Sequence, residues 1–201
     1  ATNVLVVGQD QYVFQYAPVP PGQVQVAWSP DNGITDLSPA RNPFLGSPPW
    51  TYTIDPNLEP ATVIISEFMA DNNNFLNDED GDDSDWIELY NAGNVDANLD
   101  GWYLTDELDV EDNPILKWRI PGVILLPGQF LIVFASGKDR ANVPGELHAN
   151  FSLRAGGEYL GLLDPDGNVV SEFAPAYPDQ RENVSYGRDI FDPSLAGYFE
   201  T

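Results

Sequence analysis

The sequence predicts an all-β protein, an antiparallel β-sandwich with a smaller β segment ahead of it. Three observations predict this. Short runs rich in β-branched and aromatic residues alternate with period two, as half-buried strands do. The 17 glycines and 18 prolines among the 201 residues punctuate those runs at roughly 8–12-residue intervals, the rhythm of a sandwich with tight turns. No stretch offers a capped amphipathic helix of useful length.

Taken in order, Val24-Gln25-Val26-Ala27-Trp28 alternates cleanly and Trp50-Thr51-Tyr52-Thr53-Ile54 follows it. Val63-Ile64-Ile65-Ser66-Glu67-Phe68 is a β-branched run, and Trp86-Ile87-Glu88-Leu89-Tyr90 comes next. Further strands are expected at 101–104, 117–120, 123–125, 130–135, 158–163, 169–173 and 184–186. Asp164-Pro165-Asp166-Gly167 between two such runs is a hairpin signal. The polar segment Asp55-Pro56-Asn57-Leu58-Glu59-Pro60 reads as a semi-rigid boundary. It divides the chain into an N-terminal β segment, 1–57, and a larger domain, 58–188. The first is short against the ~100 residues of an immunoglobulin-type domain. It is either the end of a domain whose start is missing or a set of strands packed on its neighbour. Residues 189–201 have no clear period and are expected to be an extended tail toward further domains.

Composition narrows the function. With 8 Lys+Arg against 32 Asp+Glu, the formal charge is −24. Phosphate backbones and anionic headgroups need a basic patch, so a nucleic-acid or lipid-surface partner is excluded. There is no cysteine, hence no disulfide or thiolate site. His148 is the one histidine, which removes any mechanism needing two imidazoles; it is expected to be a structural hydrogen-bonder. The longest apolar run, 130–135, is far short of a membrane span, so no membrane insertion is expected. The start, Ala1-Thr2-Asn3-Val4, carries no signal peptide and reads as a piece of a longer protein. Hydrophobic residues at 42% and aromatics at 12% suffice for a packed core despite the charge.

Between Arg41 and Lys117 there is no basic residue, yet 18 acidic ones. The densest part is Asn77-Asp78-Glu79-Asp80-Gly81-Asp82-Asp83-Ser84-Asp85. Carboxylates so crowded repel one another unless a cation screens them, and Ca2+ takes 6–8 oxygen ligands. Asp78, Asp80, Asp82, Asp83 and Asp85 are therefore the candidate ligands of Ca2+. The spacing is not that of an EF-hand loop, because the sixth residue from Asp78 is Asp83 rather than glycine and the twelfth is Leu89 rather than glutamate. A solvated acidic loop is the competing reading, and for the sparser group Asp106-Glu107, Asp109 and Glu111-Asp112 it is the preferred one. No catalytic residues are assigned. Clustered, hydrated carboxylates lack the pKa asymmetry that acid–base pairs need, nothing selects a distant pair such as Glu67 and Glu88, and no serine nucleophile elbow is present. Trp86, Trp102 and Trp118 sit in strand patterns and are expected in the core rather than on a sugar-stacking face. Asn150-Phe151-Ser152 and Asn183-Val184-Ser185 spell glycosylation sequons.

Residues 62–188 resemble the bacterial branch of the lamin-tail domain. The likeness rests on Val63-Ile64-Ile65-Ser66-Glu67-Phe68-Met69-Ala70, on Asp78-Glu79-Asp80-Gly81-Asp82 leading into Ser84-Asp85-Trp86-Ile87-Glu88-Leu89-Tyr90-Asn91, and on Leu99-Asp100-Gly101-Trp102-Tyr103-Leu104. It continues through Lys117-Trp118-Arg119-Ile120-Pro121, the stretch 126–140, Glu146-Leu147-His148-Ala149-Asn150-Phe151-Ser152-Leu153 and Gly157-Glu158-Tyr159-Leu160. The resemblance implies an immunoglobulin-like sandwich without catalytic residues, carried in a large secreted or cell-surface bacterial protein beside enzymatic or adhesive domains. More weakly, 24–54 resembles the closing strands of a bacterial immunoglobulin-like domain. The likeness to animal nuclear lamins is remote, since there are no coiled-coil heptads and no basic localisation run. The expected function is a non-catalytic interaction or spacer module with an acidic loop that Ca2+ stabilises. Its partners would be neighbouring domains of the same polypeptide and an extracellular protein or glycan. The alternative is a carbohydrate- or polymer-binding module accompanying an enzymatic domain, either spore-coat-type kinase-like or hydrolytic.

Overall fold

A computed structural model describes residues 62–199 throughout and, ahead of them, 3–6, 12–15, 20, 22–29, 35–36, 38–45 and 48–54. The chain divides into two compact units, Ala1–Leu58 and Glu59–Thr201. Among the described residues every regular element is a strand.

In the first unit β1 (Asn3–Val6) pairs antiparallel with β2 (Tyr12–Gln15). β3 (Gly22–Val26) pairs antiparallel with β4 (Trp50–Ile54), setting Val26 opposite Trp50. The alternating run read at 24–28 thus begins two residues earlier and ends before Trp28, whose ring meets Phe44 edge-on at 5.1 Å.

The second unit carries β5 (Val63–Met69), β6 (Asp85–Asn91), β7 (Ala97–Asn98), β8 (Tyr103–Thr105), β9 (Trp118–Arg119), β10 (Ile124–Leu125), β11 (Phe130–Ala135), β12 (Leu147–His148), β13 (Leu160–Leu163), β14 (Val169–Phe173), β15 (Ser185–Arg188) and β16 (Ala196–Phe199). A six-stranded sheet runs β12-β11-β6-β5-β15-β16, and a four-stranded sheet runs β14-β13-β8-β9. Pairing is antiparallel except between β11 and β12. This is the immunoglobulin-like antiparallel sandwich that the sequence predicts. Alternation does the sorting on β6, where Ile87 and Leu89 are fully buried inside while Glu88 and Tyr90 point outward and are half-buried. Both residues and their counterparts on β5, β11 and β13 join one core with Leu104, Trp118, Phe151 and Phe173. Trp86 and Trp118 are buried and Trp102 packs against the core, as expected of them.

Two local features fix the register. β5 bulges at Ser66 against β6, and β15 crosses that bulge at Gly187. A Cβ there would run into the Ser66 carbonyl and the Glu67 Cα, so only glycine lets β15 pair with β5. The hairpin read at 164–167 joins β13 to β14, with the Asp164 carboxylate accepting the N–H groups of Asp166 and Asn168, both at 2.9 Å. The stretch expected as an extended tail behaves differently. Asp189 accepts the Phe191 N–H at 2.8 Å, the chain reverses, and Ala196–Phe199 returns as β16 on β15, with Tyr198 facing Tyr186. Its four residues, one of them Gly197, are too few for a period-two pattern to register.

Candidate functional site

The acidic loop lies between β5 and β6, and a second loop, 136–146, leads from β11 to β12. Their residues meet at the end of the six-stranded sheet. Asn72 staples the first loop. Buried, it donates through Nδ2 to the carbonyls of Leu76 and Ser84 at 2.6 and 2.7 Å, and its Oδ1 accepts the N–H groups of Phe75 and Leu76. Such self-bonding is what short polar side chains offer a turn.

Asp78 closes the loop's tip. Its Oδ1 accepts the N–H groups of Asp80 at 3.0 Å and Asp82 at 3.1 Å, and its Oδ2 accepts the Ser84 hydroxyl at 2.7 Å. The same device recurs where Asp109 accepts the N–H groups of Glu111 and Asn113, where Asp164 closes the β13–β14 hairpin, and where Asp36 accepts those of Ser38 and Asn42. Part of the acid excess is thus turn-forming chemistry.

Asp78, Asp80 and Asp82 each present a carboxylate oxygen within 4.8 Å of the others, an arrangement able to hold a metal ion. Lys138 reaches this point. Its Nζ stands 2.6 Å from Asp78 Oδ2, 2.7 Å from Asp80 Oδ2 and 2.8 Å from Asp82 Oδ2. Arg140 adds a second cation, 2.8 Å from Asp80 and 3.3 Å from Glu79. Burial opposes the charge on Asp78, but the Lys138 ammonium, the Ser84 hydroxyl and the N–H groups of Asp82 and Asp80 outweigh it and hold the carboxyl well below the usual range. Burial likewise works against Lys138, and the three aspartates outweigh it and raise its pKa. The site therefore carries locked, ionised groups.

Of the five aspartates read as ligands, the structure brings together Asp78, Asp80 and Asp82. Asp83 turns to Asn77, whose Nδ2 donates to it at 2.7 Å. Asp85 opens β6 and accepts the Asn72 N–H at 3.2 Å. Burial pushes the Asp85 carboxyl from the usual 3.8 up to about 6, against the Asn72 hydrogen bond and with help from the charge of Asp71. The folded state then holds that proton more tightly than the unfolded chain. Its stabilisation is full below pH 4 and is lost as the pH rises through 6. Asp85→Asn keeps the acceptor oxygen without the charge. It is expected to raise stability by about 1–2 kcal/mol at pH 7 and to leave it nearly unchanged at pH 4, read by urea unfolding at both values. Equal effects at the two pH values would refute the assignment.

Sequence reading missed Lys138 and Arg140 as members of the site. They lie some 60 residues from their partners along the chain, and no spacing rule reaches that far. His148 is fully buried beside them, its Nδ1 2.9 Å from Ser136 Oγ. The sparser acidic group is partly paired, with Lys117 bridging Asp106 at 2.6 Å and Glu107 at 3.1 Å.

A second feature lies on the outer face of the six-stranded sheet. Glu67 and Glu88 face each other across the β5–β6 ladder and line a shallow groove with Phe130, Arg188, Phe191 and Phe199. Phe191 is 92% exposed, and Tyr90 stacks on Phe130 at 4.5 Å. Burial raises the Glu88 pKa, against the Ser66 hydroxyl bonded to it at 2.7 Å and with the charge of Glu67 adding to the rise.

Compared with known protein families, the chain matches the model of the family described as Lamin Tail Domain over residues 57–176, more than half its length. No curated protein matches it.

Proposed function

The chain belongs to the lamin tail domain family, and we propose that it serves as a non-catalytic interaction and spacer module of a large secreted or cell-surface bacterial protein, preceded by the end of an immunoglobulin-like domain. The observation that carries this reading is the Lys138 ammonium fixed among Asp78, Asp80 and Asp82. Carboxylate catalysis sets a protonated acid beside an ionised one. Here Asp78 and Asp80 are held ionised by hydrogen bonds and by the Lys138 and Arg140 cations, which rigidifies a rim for display. Neighbouring domains of the same polypeptide and an extracellular protein are the partners that such a rim would meet. Incubating the intact chain with chromogenic glycosides, esters and phosphates is expected to give no turnover. Turnover that vanishes in Glu88→Gln would overturn the reading.

In this reading Ca2+ stabilises the loop by displacing Lys138, because the ammonium stands where an ion with ligand distances of 2.3–2.6 Å would stand. Calorimetric titration is expected to give weak Ca2+ binding in the natural chain and tighter binding in Lys138→Met, with melting temperature rising relative to EDTA in step with that affinity. No heat and no melting shift in either protein removes Ca2+ from the reading.

The outer groove favours the alternative, a carbohydrate- or polymer-binding module. Exposed Phe191 and the Tyr90–Phe130 stack beside Glu67 and Glu88 offer the apolar plane and acceptors that sugars use. A glycan array separates the two readings, since binding that Phe130→Ala and Phe191→Ala abolish selects the second.

A further inference from the structure

His148 is the one histidine of the chain and is completely buried. Its ring stacks on Phe134 at 5.4 Å. Backbone bonds with Arg140 in both directions, each 2.9 Å, fix its strand. The Nδ1–Ser136 bond holds the ring's rotation and serves either tautomer, because a hydroxyl both donates and accepts. Nε2 is also buried and makes no hydrogen bond. It points at two carboxylates, with Glu79 Oε1 and Glu146 Oε2 each 4.0 Å away. That is too long for a charged hydrogen bond, which closes to 2.7–2.9 Å. A ring nitrogen facing two anions and bonded to neither is an arrangement that a cation between them completes.

We propose that His148 Nε2, Glu79 and Glu146 form a binding site for a divalent transition-metal ion of the Zn2+ class, separate from the aspartate cluster. The donor chemistry selects the ion. One imidazole and two carboxylates suit Zn2+ and its neighbours, whereas the all-oxygen aspartates suit Ca2+ or an ammonium. Ligand bonds near 2.1 Å in a tetrahedral site put donor atoms about 3.4 Å apart, so each glutamate oxygen has to close on Nε2 by roughly half an ångström. The two carboxylates, whose oxygens do not lie within 4.8 Å of one another, have to swing further toward each other. Both can move, because their side chains are 46% and 40% exposed. Arg140, now 3.3 Å from Glu79, keeps Asp80 at 2.8 Å when Glu79 turns to the metal. Glu146 Oε2 already accepts the Glu79 N–H at 2.6 Å, which ties the two ligands together. Ser136 takes the outer-shell position, orienting the imidazole through Nδ1 as partners of metal-bound histidines do.

A single histidine makes the test unambiguous, because every imidazole nitrogen signal of the 15N-labelled intact chain belongs to His148. Chelator-stripped protein titrated with Zn2+ is expected to bind one equivalent with a large shift of Nε2, and Co2+ in its place is expected to give visible absorption. Glu79→Gln with Glu146→Gln, both on exposed side chains, is expected to weaken binding at least tenfold while melting stays cooperative. Ser136→Ala is expected to weaken it by about ten- to a hundredfold. Binding without an Nε2 shift overturns the proposal. So does binding that survives the double glutamine variant but fails in Asp80→Asn with Asp82→Asn, and so does the absence of binding.

Discussion

Phe68→Ala is expected to destabilise the second unit by about 3–5 kcal/mol, the cost of removing a buried aromatic ring and leaving its cavity. Phe68 is fully buried on β5. Its ring meets Phe173 of the four-stranded sheet at 5.1 Å, Tyr177 of the following loop at 4.6 Å and Tyr186 of β15 at 5.9 Å. One side chain therefore ties both sheets and the last hairpin together. Those rings are anchored elsewhere, since Tyr177 Oη is 3.0 Å from both the Arg154 N–H and the Arg154 carbonyl, and Arg188 lies over Phe173. They cannot all close the gap, which places the cost toward the upper end. Against a typical domain stability of about 5–15 kcal/mol, this is a large fraction. Urea unfolding followed by near-UV dichroism is expected to show a lowered midpoint with little change in slope. A loss under about 1 kcal/mol would show that the sheets are held together elsewhere.

The fold was legible because its long strands need only adjacent residues: 85–91 alternates with period two, 130–135 is an unbroken apolar run, and the turns between strands announce themselves by glycine, proline and aspartate. β7, β12 and β16 were not legible: unlike the equally short β9 and β10, which flank the Pro121-Gly122 turn, they carry no turn signal beside an apolar run and are set by what they pair with. The candidate site was half legible for the same reason. Asp78, Asp80 and Asp82 stand out as local charge, but their cation comes from a loop some 60 residues on. Neither the β11–β12 parallel pairing nor the turn that delivers Lys138 has a signature in the sequence. Asp83 and Asp85 look identical to the other three in a string of acids. They part company because β6 starts at Asp85 and alternation turns its carboxylate toward Asn72 and burial.

Lys138→Met is expected to cost about 2–3 kcal/mol at neutral pH, nearly all of it through Asp78. The Asp78 side chain has no exposure to solvent, while those of Asp80 and Asp82 are 38% and 65% exposed. Losing the ammonium leaves water to screen the outer two, and surface pairs of that kind contribute little. Asp78 has no such recourse. Its remaining donors, the N–H groups of Asp80 and Asp82 and the Ser84 hydroxyl, keep the loss below that of a bare buried charge. Methionine retains most of the aliphatic stem, so the packing change is small. The pH dependence identifies the culprit. A carboxyl held below its usual pKa contributes stability that is present above about pH 4 and lost as the pH falls toward the folded value. The gap between the natural chain and Lys138→Met should therefore be full at pH 7 and close in acid, as Asp78 takes up a proton in both. Added salt screens the exposed carboxylates and is expected to recover only a minor part. Combining the change with Asp78→Asn should abolish most of the cost, because no buried charge is left to strand. A Lys138→Met protein as stable as the natural chain at pH 7 would mean that the ammonium merely decorates the loop.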